Sequence, residues 1–232
     1  MEVRGSVIIV TGASSGIGEA VARAAHGRGA RVVLAARRAE RLERLSAELD
    51  GALAVVADVT VDAQLQAVID RAIEAHGRID VLVNNAGQGL HVPLEQVSMD
   101  AFRDIVELNL LAPLRAMQLV LPHMRKQGGG VIVNISSGTS RMTLPGVGAY
   151  SSTKAALNKL SETARAEWAD DGIVVSLVLP TVTATEFHQV LRQGRRREGD
   201  LPFQPRPPEE VADAVLEAIE TGAADIPLGH RR

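Results

Sequence analysis

The chain has 232 residues, 46% of them hydrophobic and 23% charged, a composition that excludes a disordered or fibrous protein. With three Phe, one Trp and one Tyr the core is aliphatic, and the absence of Cys excludes disulfides, thiolate nucleophiles and Cys-ligated metal sites. The 25 basic and 28 acidic side chains give a net charge of −3, which provides no overall basic field for nucleic acid.

Short β-branched runs alternate along the chain with longer segments of helical period. We predict strands at Val7–Val10, Arg31–Ala35, Leu53–Val56, Val81–Val83, Val131–Ile135 and Ile173–Leu179. Helical period marks the segments Gly16–Arg28, Glu40–Leu49 and Asp62–His76. Because the strands are continuously apolar, helices should cover both faces of the sheet. The pattern predicts an α/β fold with a doubly wound parallel sheet, in a single domain spanning residues 1–232.

The alternation stops late in the chain, at about residues 186–207. Prolines, glycines and the cluster Arg195-Arg196-Arg197 predict a mobile loop there, with one helical turn around Phe187–Gln193. A final helix is predicted at about Pro208–Thr221, where prolines and acidic residues stand at the start.

No segment suggests export or membrane insertion. The apolar run Val7–Val10 is far shorter than a signal-peptide core, and no stretch approaches the roughly 18 apolar residues of a membrane span. We therefore expect a cytoplasmic protein.

A glycine-rich turn follows the first predicted strand and precedes a helix. It reads Thr11-Gly12-Ala13-Ser14-Ser15-Gly16-Ile17-Gly18. Glycines here permit a tight turn and a close approach of backbone to a phosphate, and the helix N-terminus offers free N–H groups. A pyrophosphate would fit this turn, although the spacing differs by one residue from the common dinucleotide motif and a plain glycine turn stays possible.

Two arginines end the second predicted strand. In a dinucleotide fold, a residue about 20 positions after the glycines contacts the adenosine ribose, where an acid favours NAD and an Arg accommodates a 2′-phosphate. Residues 31–39 contain no acid and include Arg37 and Arg38. The sequence therefore favours NADP(H), with two solvated arginines as the alternative. Asp58, after the third strand, would contact the adenine or cap the next helix with Thr60.

Polar and small residues follow the fourth predicted strand. The run Asn84-Asn85-Ala86-Gly87 suits a backbone held close to a cofactor ring, and a simple turn is the alternative.

The single tyrosine is followed four residues later by one of the three lysines. Tyr150 and Lys154 would share a face of a helix running to about Asp170. An ammonium near a phenol favours the phenolate, so we expect a Tyr150 pKa below its ordinary value of about 10, most clearly with oxidised cofactor bound. Tyr150 could then act as general acid and base.

A serine ends the fifth predicted strand, thirteen residues before Tyr150. The hydroxyl of Ser137 would face the same cleft and donate to a substrate oxygen. Its neighbour Ser136 should point the other way, because side chains alternate along a strand. Ser137 does not stand in a G-x-S-x-G elbow, which argues against hydrolysis by this serine.

A polar residue interrupts an apolar helix four residues before a proline. Since Pro113 has no N–H, the carbonyl of Asn109 loses its helical partner, and a kink is expected. The free carbonyl could hold a water beside Lys154, which would connect Tyr150 to solvent. The alternative is a packing kink with Asn109 hydrogen-bonded locally.

In order and spacing, the motifs Thr11–Gly18, Asn84–Gly87, Asn109, Ser137, Tyr150 and Lys154 resemble the single-domain branch of the short-chain dehydrogenase/reductase family. The resemblance implies a Rossmann sheet of about seven strands. It also implies hydride transfer between NAD(P) and a carbonyl or secondary alcohol. Tyr150 would be the acid/base, Lys154 would hold the nicotinamide ribose, Ser137 would polarise the substrate oxygen and Asn109 would support a water relay.

The resemblance also implies a set of cofactor contacts and an oligomer. The cofactor residues would be Gly12, Ser14, Ser15, Gly16, Ile17, Gly18, Arg37, Arg38, Asp58, Val59, Asn85, Ala86, Gly87, Tyr150, Lys154, Pro180, Thr183 and Thr185. No metal is needed. A homodimer or homotetramer would form through the helices that begin near Met99 and Tyr150.

Two departures from the family pattern affect these expectations. Thr181 and Thr183 replace the usual glycine and apolar residue after the sixth strand, so the turn beside the nicotinamide should differ if it needs a glycine angle. The family's glycine-rich tail is also absent after the last predicted strand, which leaves tetramer contacts open.

The substrate pocket should be mainly apolar. Its expected walls are Gly89–Leu94, Gly138–Leu144 and Glu186–Gln204, with the apolar side chains Leu90, Val92, Met142, Leu144, Phe187 and Leu191. Arg141 and the arginines from Arg192 to Arg197 would attract an anionic substrate or form a solvated face. Two other functions stay open on this fold: a catalytically idle cofactor sensor acting through partners, and epimerase or dehydratase chemistry with retained cofactor.

Overall fold

The computed structural model describes residues 1–195 and 204–229. Its strands are β1 Val7–Thr11, β2 Arg31–Ala36, β3 Leu53–Val56, β4 Val81–Asn84, β5 Leu90–His91, β6 Gly130–Ile135, β7 Ile173–Leu179, β8 Gln193–Gly194 and β9 Asp225–Pro227. Its α-helices are α1 Gly16–Gly27, α2 Ala39–Glu48, α3 Asp62–His76, α4 Met99–Val106, α5 Ala112–Lys126, α6 Gly148–Glu167 and α7 Pro208–Thr221.

Seven of the strands form one parallel sheet in the order β3-β2-β1-β4-β6-β7-β9. The chain builds outward from β1 to β3 and then crosses back, so that β4 pairs with the other edge of β1, with Ile8 opposite Val81 and Val10 opposite Val83. Ligands of doubly wound sheets bind outside the carboxyl ends of the strands at such a reversal. The predicted doubly wound fold is confirmed.

Both faces of the sheet are buried, which explains the uninterrupted apolar strands. Ile8 and Val10 belong to the core beneath α1, α2 and α7. Val7 and Ile9 belong to the core beneath α3 and α5. Because successive side chains point to opposite faces, each residue of β1 packs under one helical layer or the other.

The expectation that no stretch resembles a membrane span has one exception, the helical stretch Met99–Lys126. By length and by a mean hydropathy of 1.3 it qualifies as such a span. Its side chains Met117, Val120 and Met124 are fully buried against the sheet, so it is a core helix of this fold.

A π-helical turn, Glu107–Leu111, joins α4 to α5 at the place where the sequence predicts a kink. The N–H of Ala112 donates to the carbonyl of Glu107, five residues earlier. Pro113, at the second position of α5, cannot supply a hydrogen bond to Asn109, and the wider turn accommodates this loss. Asn109 lies inside this turn.

The loop after β7 is more regular than predicted in the part that the structure describes. A 3₁₀ turn, Glu186–His188, is followed by β8, which pairs in parallel with β5 beside the sheet's carboxyl edge. The predicted loop extends over residues 196–203, which lie outside the described residues. The predicted helix Pro208–Thr221 is confirmed as α7.

Candidate active site

The turn between β1 and α1 requires its glycines for two separate reasons. Gly12 has a φ of +67°, and a Cβ there would lie 2.9 Å from the Cα of Ala86. A Cβ on Gly18 would lie 2.4 Å from the carbonyl oxygen of Gly12. Left-handed backbone favours glycine, and the second contact is too short for any side chain. The turn is therefore packed closely against both α1 and the segment after β4.

Hydrogen bonds fix the turn after β1 to the turn after β4. The side-chain amide of Asn85 donates to the carbonyl of Thr11 at 2.9 Å. The hydroxyl oxygen of Thr11 accepts from the N–H groups of Asn85 and Ala86 at 3.0 and 3.1 Å. These bonds connect the strands that flank the reversal of the sheet.

The N-terminus of α1 directly follows the glycine turn. Ser15 stands at its N-cap position, and within the described ranges no side chain accepts from the first-turn N–H groups. Ile17, in the first turn, packs against the core. Free N–H groups at a helix N-terminus bind anions, so the residues present fit a pyrophosphate.

The two arginines after β2 have different environments. Nε of Arg38 donates to Ser14 Oγ at 3.0 Å, and its Nη2 donates to Ser15 Oγ. Arg38 therefore lies directly over the glycine turn. Arg37 is 66% exposed in its side chain and approaches the carboxylate of Asp58 at 3.6 Å.

Two further charged residues, Arg41 and Glu186, lie beside Arg38, and the sequence analysis did not predict them as part of the cofactor site. The carboxylate of Glu186 accepts from Arg38 Nη1 at 2.8 Å and from Arg41 Nη1 at 2.9 Å. Arg41 could have been found, since it lies three residues after Arg38 and one helical turn brings it to the same face. Glu186 is 148 residues from Arg38 along the chain. No local pattern points to their contact.

Asp58 does not cap the helix that follows it. Its Oδ1 accepts from the N–H and hydroxyl of Thr60 at 3.0 and 2.7 Å, whereas α3 begins at Asp62 with Val61 at its N-cap. Burial acts to raise the pKa of Asp58, but the hydrogen bonds from Thr60 and the charge of Arg37 outweigh it and lower that pKa. Val59 is buried in the core.

The hydroxyl of Tyr150 is buried, and Ser137 lies near enough to stabilise its phenolate, so the predicted pair comes together. Their exposed fractions are 7% and 8%. Burial raises the pKa of Tyr150 to about 12, and the hydrogen bond from Ser137 only partly opposes this. The prediction of a pKa below 10 is thus wrong for the chain by itself, because the desolvation of a buried phenolate dominates.

Lys154 lies on the same face of α6 but is bound elsewhere. Its Nζ donates to the carbonyl of Ile135 at 2.8 Å, at the end of β6. Burial lowers the pKa of Lys154 to about 8. A Cβ on Gly87 would lie 3.7 Å from this Nζ, so the ammonium is close to the segment after β4.

The two adjacent serines have different partners, as strand alternation predicts. Ser136 donates to Asn158 Oδ1 on α6, while Ser137 Oγ lies 2.9 Å from the hydroxyl of Thr139 and also bonds Tyr150. Of these two serines, Ser137 is the one that acts on the tyrosine hydroxyl.

Asn109 is completely buried and joins three parts of the site. Its Nδ2 donates to the carbonyl of Gln88 at 2.8 Å, and its Oδ1 accepts from the N–H of Gln88 at 2.9 Å. Nδ2 also lies 3.3 Å from the hydroxyl of Thr153 on α6. These partners are 21 and 44 residues away along the chain, so the side chain of Asn109 is not hydrogen-bonded locally as the alternative supposed. Instead it holds the segment after β4 against α6.

The turn after β7 packs against the glycine turn, although Thr181 stands where the family usually has a glycine. Within the described ranges no residue other than glycine has a positive φ, so Thr181 fits this turn in ordinary backbone. The carbonyl of Pro180 accepts from Gly138 at 2.8 Å, and Thr183 is buried. Thr185 covers Gly16, where an added Cβ would lie 3.0 Å from Thr185 Cγ2.

Aromatic side chains surround the tyrosine on the outer side. The ring of Phe187 lies 5.7 Å from that of Tyr150, and the ring of His91 lies 6.3 Å away. Leu90 is fully buried beside them, whereas Met142 and Leu144 are exposed. The sequence analysis did not single out His91 at this position.

Two of the arginines predicted to attract an anionic substrate form ion pairs with acidic side chains of this chain. Arg141 pairs with Asp225 at 2.5 Å, and Arg192 pairs with Asp104. This favours the alternative of a solvated charged face. Arg196 and Arg197 lie outside the described residues.

Comparison with known proteins agrees with this geometry. A family model described as short chain dehydrogenase matches residues 6–196. An uncharacterized oxidoreductase of Staphylococcus saprophyticus is 37% identical over 223 residues, which cover 94% of this chain and 91% of that protein.

Two solved structures share the fold over nearly the whole chain. A short-chain dehydrogenase from Streptomyces avermitilis is 36% identical with a TM-score of 0.88, over 97% of this chain and 88% of that one. A 3-ketoacyl-(acyl-carrier-protein) reductase from Brucella melitensis, complexed with NADH, is 27% identical with a TM-score of 0.90, over 97% of each chain. The chain belongs to the short-chain dehydrogenase/reductase family of NAD(P)-dependent oxidoreductases.

Proposed function

We propose that this protein interconverts a carbonyl compound and a secondary alcohol with NADP(H), using Tyr150 as general acid and base. The observation that carries the proposal is a buried tyrosine hydroxyl beside Ser137, at the edge of the sheet where the glycine turn lies. The Brucella melitensis reductase, complexed with NADH, supports the cofactor class. When bound, the nicotinamide ring supplies or accepts the hydride.

The protein groups handle the proton. Ser137 donates a hydrogen bond to the substrate oxygen, and Tyr150 gives its proton to that oxygen during reduction or takes it during oxidation. A pKa of about 12 keeps the phenol protonated at neutral pH, which suits it to donate a proton during reduction. The ammonium of Lys154 would hold the cofactor ribose and would stabilise the phenolate once the proton has left.

The proton is replaced from solvent along the side of the site formed by Lys154 and Asn109. Asn109 keeps the segment at Gly87 against α6, where an added Cβ on Gly87 would lie 3.1 Å from Asn109 Oδ1 and 3.7 Å from Lys154 Nζ. A water on the main-chain carbonyl of Asn109 would connect these groups to solvent.

The choice of NADP(H) rests on Arg38. Its guanidinium is hydrogen-bonded to Ser14 and Ser15 of the turn that would bind the pyrophosphate, so it stands beside the ribose position. Asp58 belongs to the adenine side, where Arg37 reaches it. Pro180, Thr183 and Thr185 face the nicotinamide end.

Turnover tests the chemistry. A panel of ketones, aldehydes and secondary alcohols is followed by nicotinamide absorbance with wild type and Tyr150→Phe. Because general acid catalysis contributes about 10²–10⁴-fold, Tyr150→Phe should lose at least about 10²-fold. Cofactor binding without turnover of any substrate would favour the sensor alternative, and a Tyr150→Phe variant as fast as wild type would refute the mechanism.

The adjacent serines supply a matched pair of variants. Ser137→Ala should lower kcat by about 10²-fold, as loss of a donor to a developing oxyanion does. Ser136→Ala, one residue away, should keep wild-type kcat because Ser136 bonds Asn158 instead. Equal losses in both variants would show that the serines act through packing.

Dissociation constants test the cofactor preference. Arg38→Ala should weaken NADPH binding by about tenfold or more, since hydrogen bonds to charged groups contribute about 1.5–3 kcal/mol, and leave NADH binding nearly unchanged. Arg37→Ala should have a smaller effect on NADPH, because this side chain is 66% exposed and turned towards Asp58. Tighter binding of NADH than NADPH by the wild type would refute the preference.

We also propose that the protein acts in the cytoplasm as a homodimer or homotetramer on a mainly apolar small substrate. Leu90 and Phe187 beside Tyr150 support the apolar character of the pocket. Sedimentation of the purified chain tests the assembly, and a monomer at micromolar concentration would refute it.

A further inference from the structure

We infer that Glu186 occupies the anion site that would bind the 2′-phosphate of NADP(H). NADP(H) must therefore displace this carboxylate in order to bind. This inference rests on the proposed function. It assigns to Glu186, a residue of the loop after β7, a part in cofactor selection.

The carboxylate is bound as a phosphate would be. Both oxygens of Glu186 accept from Arg41 Nη1 at 2.9 Å, and one accepts from Arg38 Nη1 at 2.8 Å. The same guanidinium of Arg38 reaches Ser14 and Ser15 through its other nitrogens. Hydrogen bonds from Arg38 and Arg41 hold the pKa of Glu186 below its ordinary value, so it is an anion at neutral pH.

Charge balance makes the two anions mutually exclusive. The cluster holds two cations, Arg38 and Arg41, against the single negative charge of Glu186. The neighbouring Arg37 already has Asp58 as its partner. A phosphate monoester carries nearly two negative charges at neutral pH and offers three acceptor oxygens. It would outcompete the carboxylate, whereas both together would place about three negative charges beside two guanidinium groups.

The contact is also weak enough to exchange. The side chains of Arg38, Arg41 and Glu186 are 41%, 39% and 39% exposed. Ion pairs of this exposure contribute little to stability, because solvent screens the charges. A carboxylate held this weakly competes with the 2′-phosphate of NADP(H) but does not prevent either cofactor from binding.

Displacing Glu186 would reach the catalytic tyrosine through its neighbours. Thr185 lies against Gly16 of the glycine turn, and the ring of Phe187 lies 5.7 Å from that of Tyr150. Three consecutive residues thus contact three parts of the site. Thr185 contacts the glycine turn, Glu186 contacts the two arginines, and Phe187 contacts the catalytic tyrosine. NADP(H), but not NAD(H), would free this segment as it binds.

Dissociation constants of four ligands test the inference: NADPH, NADH, adenosine 2′,5′-bisphosphate and adenosine 5′-monophosphate. In Glu186→Gln, NADPH and the bisphosphate should bind about three- to tenfold more tightly than in wild type, from the loss of two exposed ion pairs. NADH and the monophosphate should bind as before. The matched control is Glu220→Gln, which removes an equally exposed ion pair, with Arg28 at 2.8 Å, on α7.

Hydrogen exchange of the segment 185–192 gives an independent readout. Adenosine 2′,5′-bisphosphate should speed its exchange in wild type, where the N–H of Gln189 donates to the carbonyl of Glu186 and that of Arg192 to Gly89. In Glu186→Gln the segment should exchange fast with or without the ligand.

The outcomes separate this inference from the proposed function. Unchanged or weaker NADPH binding in Glu186→Gln, or equal tightening for NADPH and NADH, overturns the competition. If Arg38→Ala still weakens NADPH in that case, the cofactor assignment stands and only the role of Glu186 is wrong. If Arg38→Ala leaves NADPH binding unchanged, both fail.

Discussion

Tyr150 is the only tyrosine in 232 residues, so its ionisation can be followed directly by the absorbance of tyrosinate. Burial raises its pKa to about 12 against an ordinary value of about 10. At pH 10 an accessible tyrosine is half ionised, whereas the native protein should show about 1% tyrosinate. Two pKa units correspond to about 3 kcal/mol of preference for the neutral phenol in the folded state.

The raised pKa also fixes the sign of a stability effect. Since the folded state holds the phenolic proton more tightly than the unfolded state, Tyr150 contributes its full stabilisation below pH 10. That contribution is lost as pH rises from about 10 to 12. Lys154 acts in the opposite sense, because burial lowers its pKa to about 8. Its contribution to the free energy of unfolding therefore rises as the pH increases from about 8 to its ordinary pKa of 10.5. The range above 10.5 therefore reports mainly on Tyr150.

A stopped-flow pH jump separates ionisation of the native state from unfolding. We expect a small tyrosinate burst after a jump to pH 10.5, followed by a slower rise as the chain unfolds. Tyr150→Phe should show neither phase and should lose less stability between pH 10.5 and 12. A native burst with a midpoint at or below 10 would refute the reasoning that burial dominates at this site.

The oxidised cofactor provides the next comparison. Its nicotinamide ring is positively charged, so saturation with NADP⁺ should lower the midpoint of Tyr150, whereas NADPH should not. Identical midpoints with the two cofactors would place the ring away from the phenol and contradict the proposed arrangement.

Three further variants test how the site is supported. Gly18→Ala should destabilise the chain by about 1–3 kcal/mol and weaken both cofactors, because its Cβ would lie 2.4 Å from a turn carbonyl; thermal melts and binding assays would show this, and a neutral variant would contradict it. Asn109→Ala should cost about 2 kcal/mol or more by leaving the backbone of Gln88 unpaired, measurable by urea unfolding, with unchanged stability as the contrary result. Asp80→Ala, which removes a 2.8 Å acceptor for Val7 at the opposite edge of the sheet, should cost about 2 kcal/mol yet leave NADPH affinity unchanged; an affinity loss would argue against its purely structural role.

Most of the fold could be predicted because its causes are local. The continuous apolar strands require two helical layers, and the observed β3 and β7 have the predicted bounds Leu53–Val56 and Ile173–Leu179. The glycine spacing and the Tyr150–Lys154 pair could be placed for the same reason, since strand alternation and helix periodicity fix which side chains share a face. At the place of the predicted kink the structure has a π-helical turn, which accommodates the missing N–H of Pro113.

Local patterns in the chain were enough to predict the parallel sheet, the position of the glycine turn and the residues that meet at the carboxyl edge of the sheet, because periodicity and steric demands act over a few neighbouring residues. The protonation of Tyr150 could not be predicted in this way, since burial depends on what packs over the side chain, including Phe187. The contact of Glu186 with Arg38 was likewise beyond the sequence. It joins residues 148 positions apart through the way the loop after β7 returns over β2, and charge attraction of this kind leaves no local pattern.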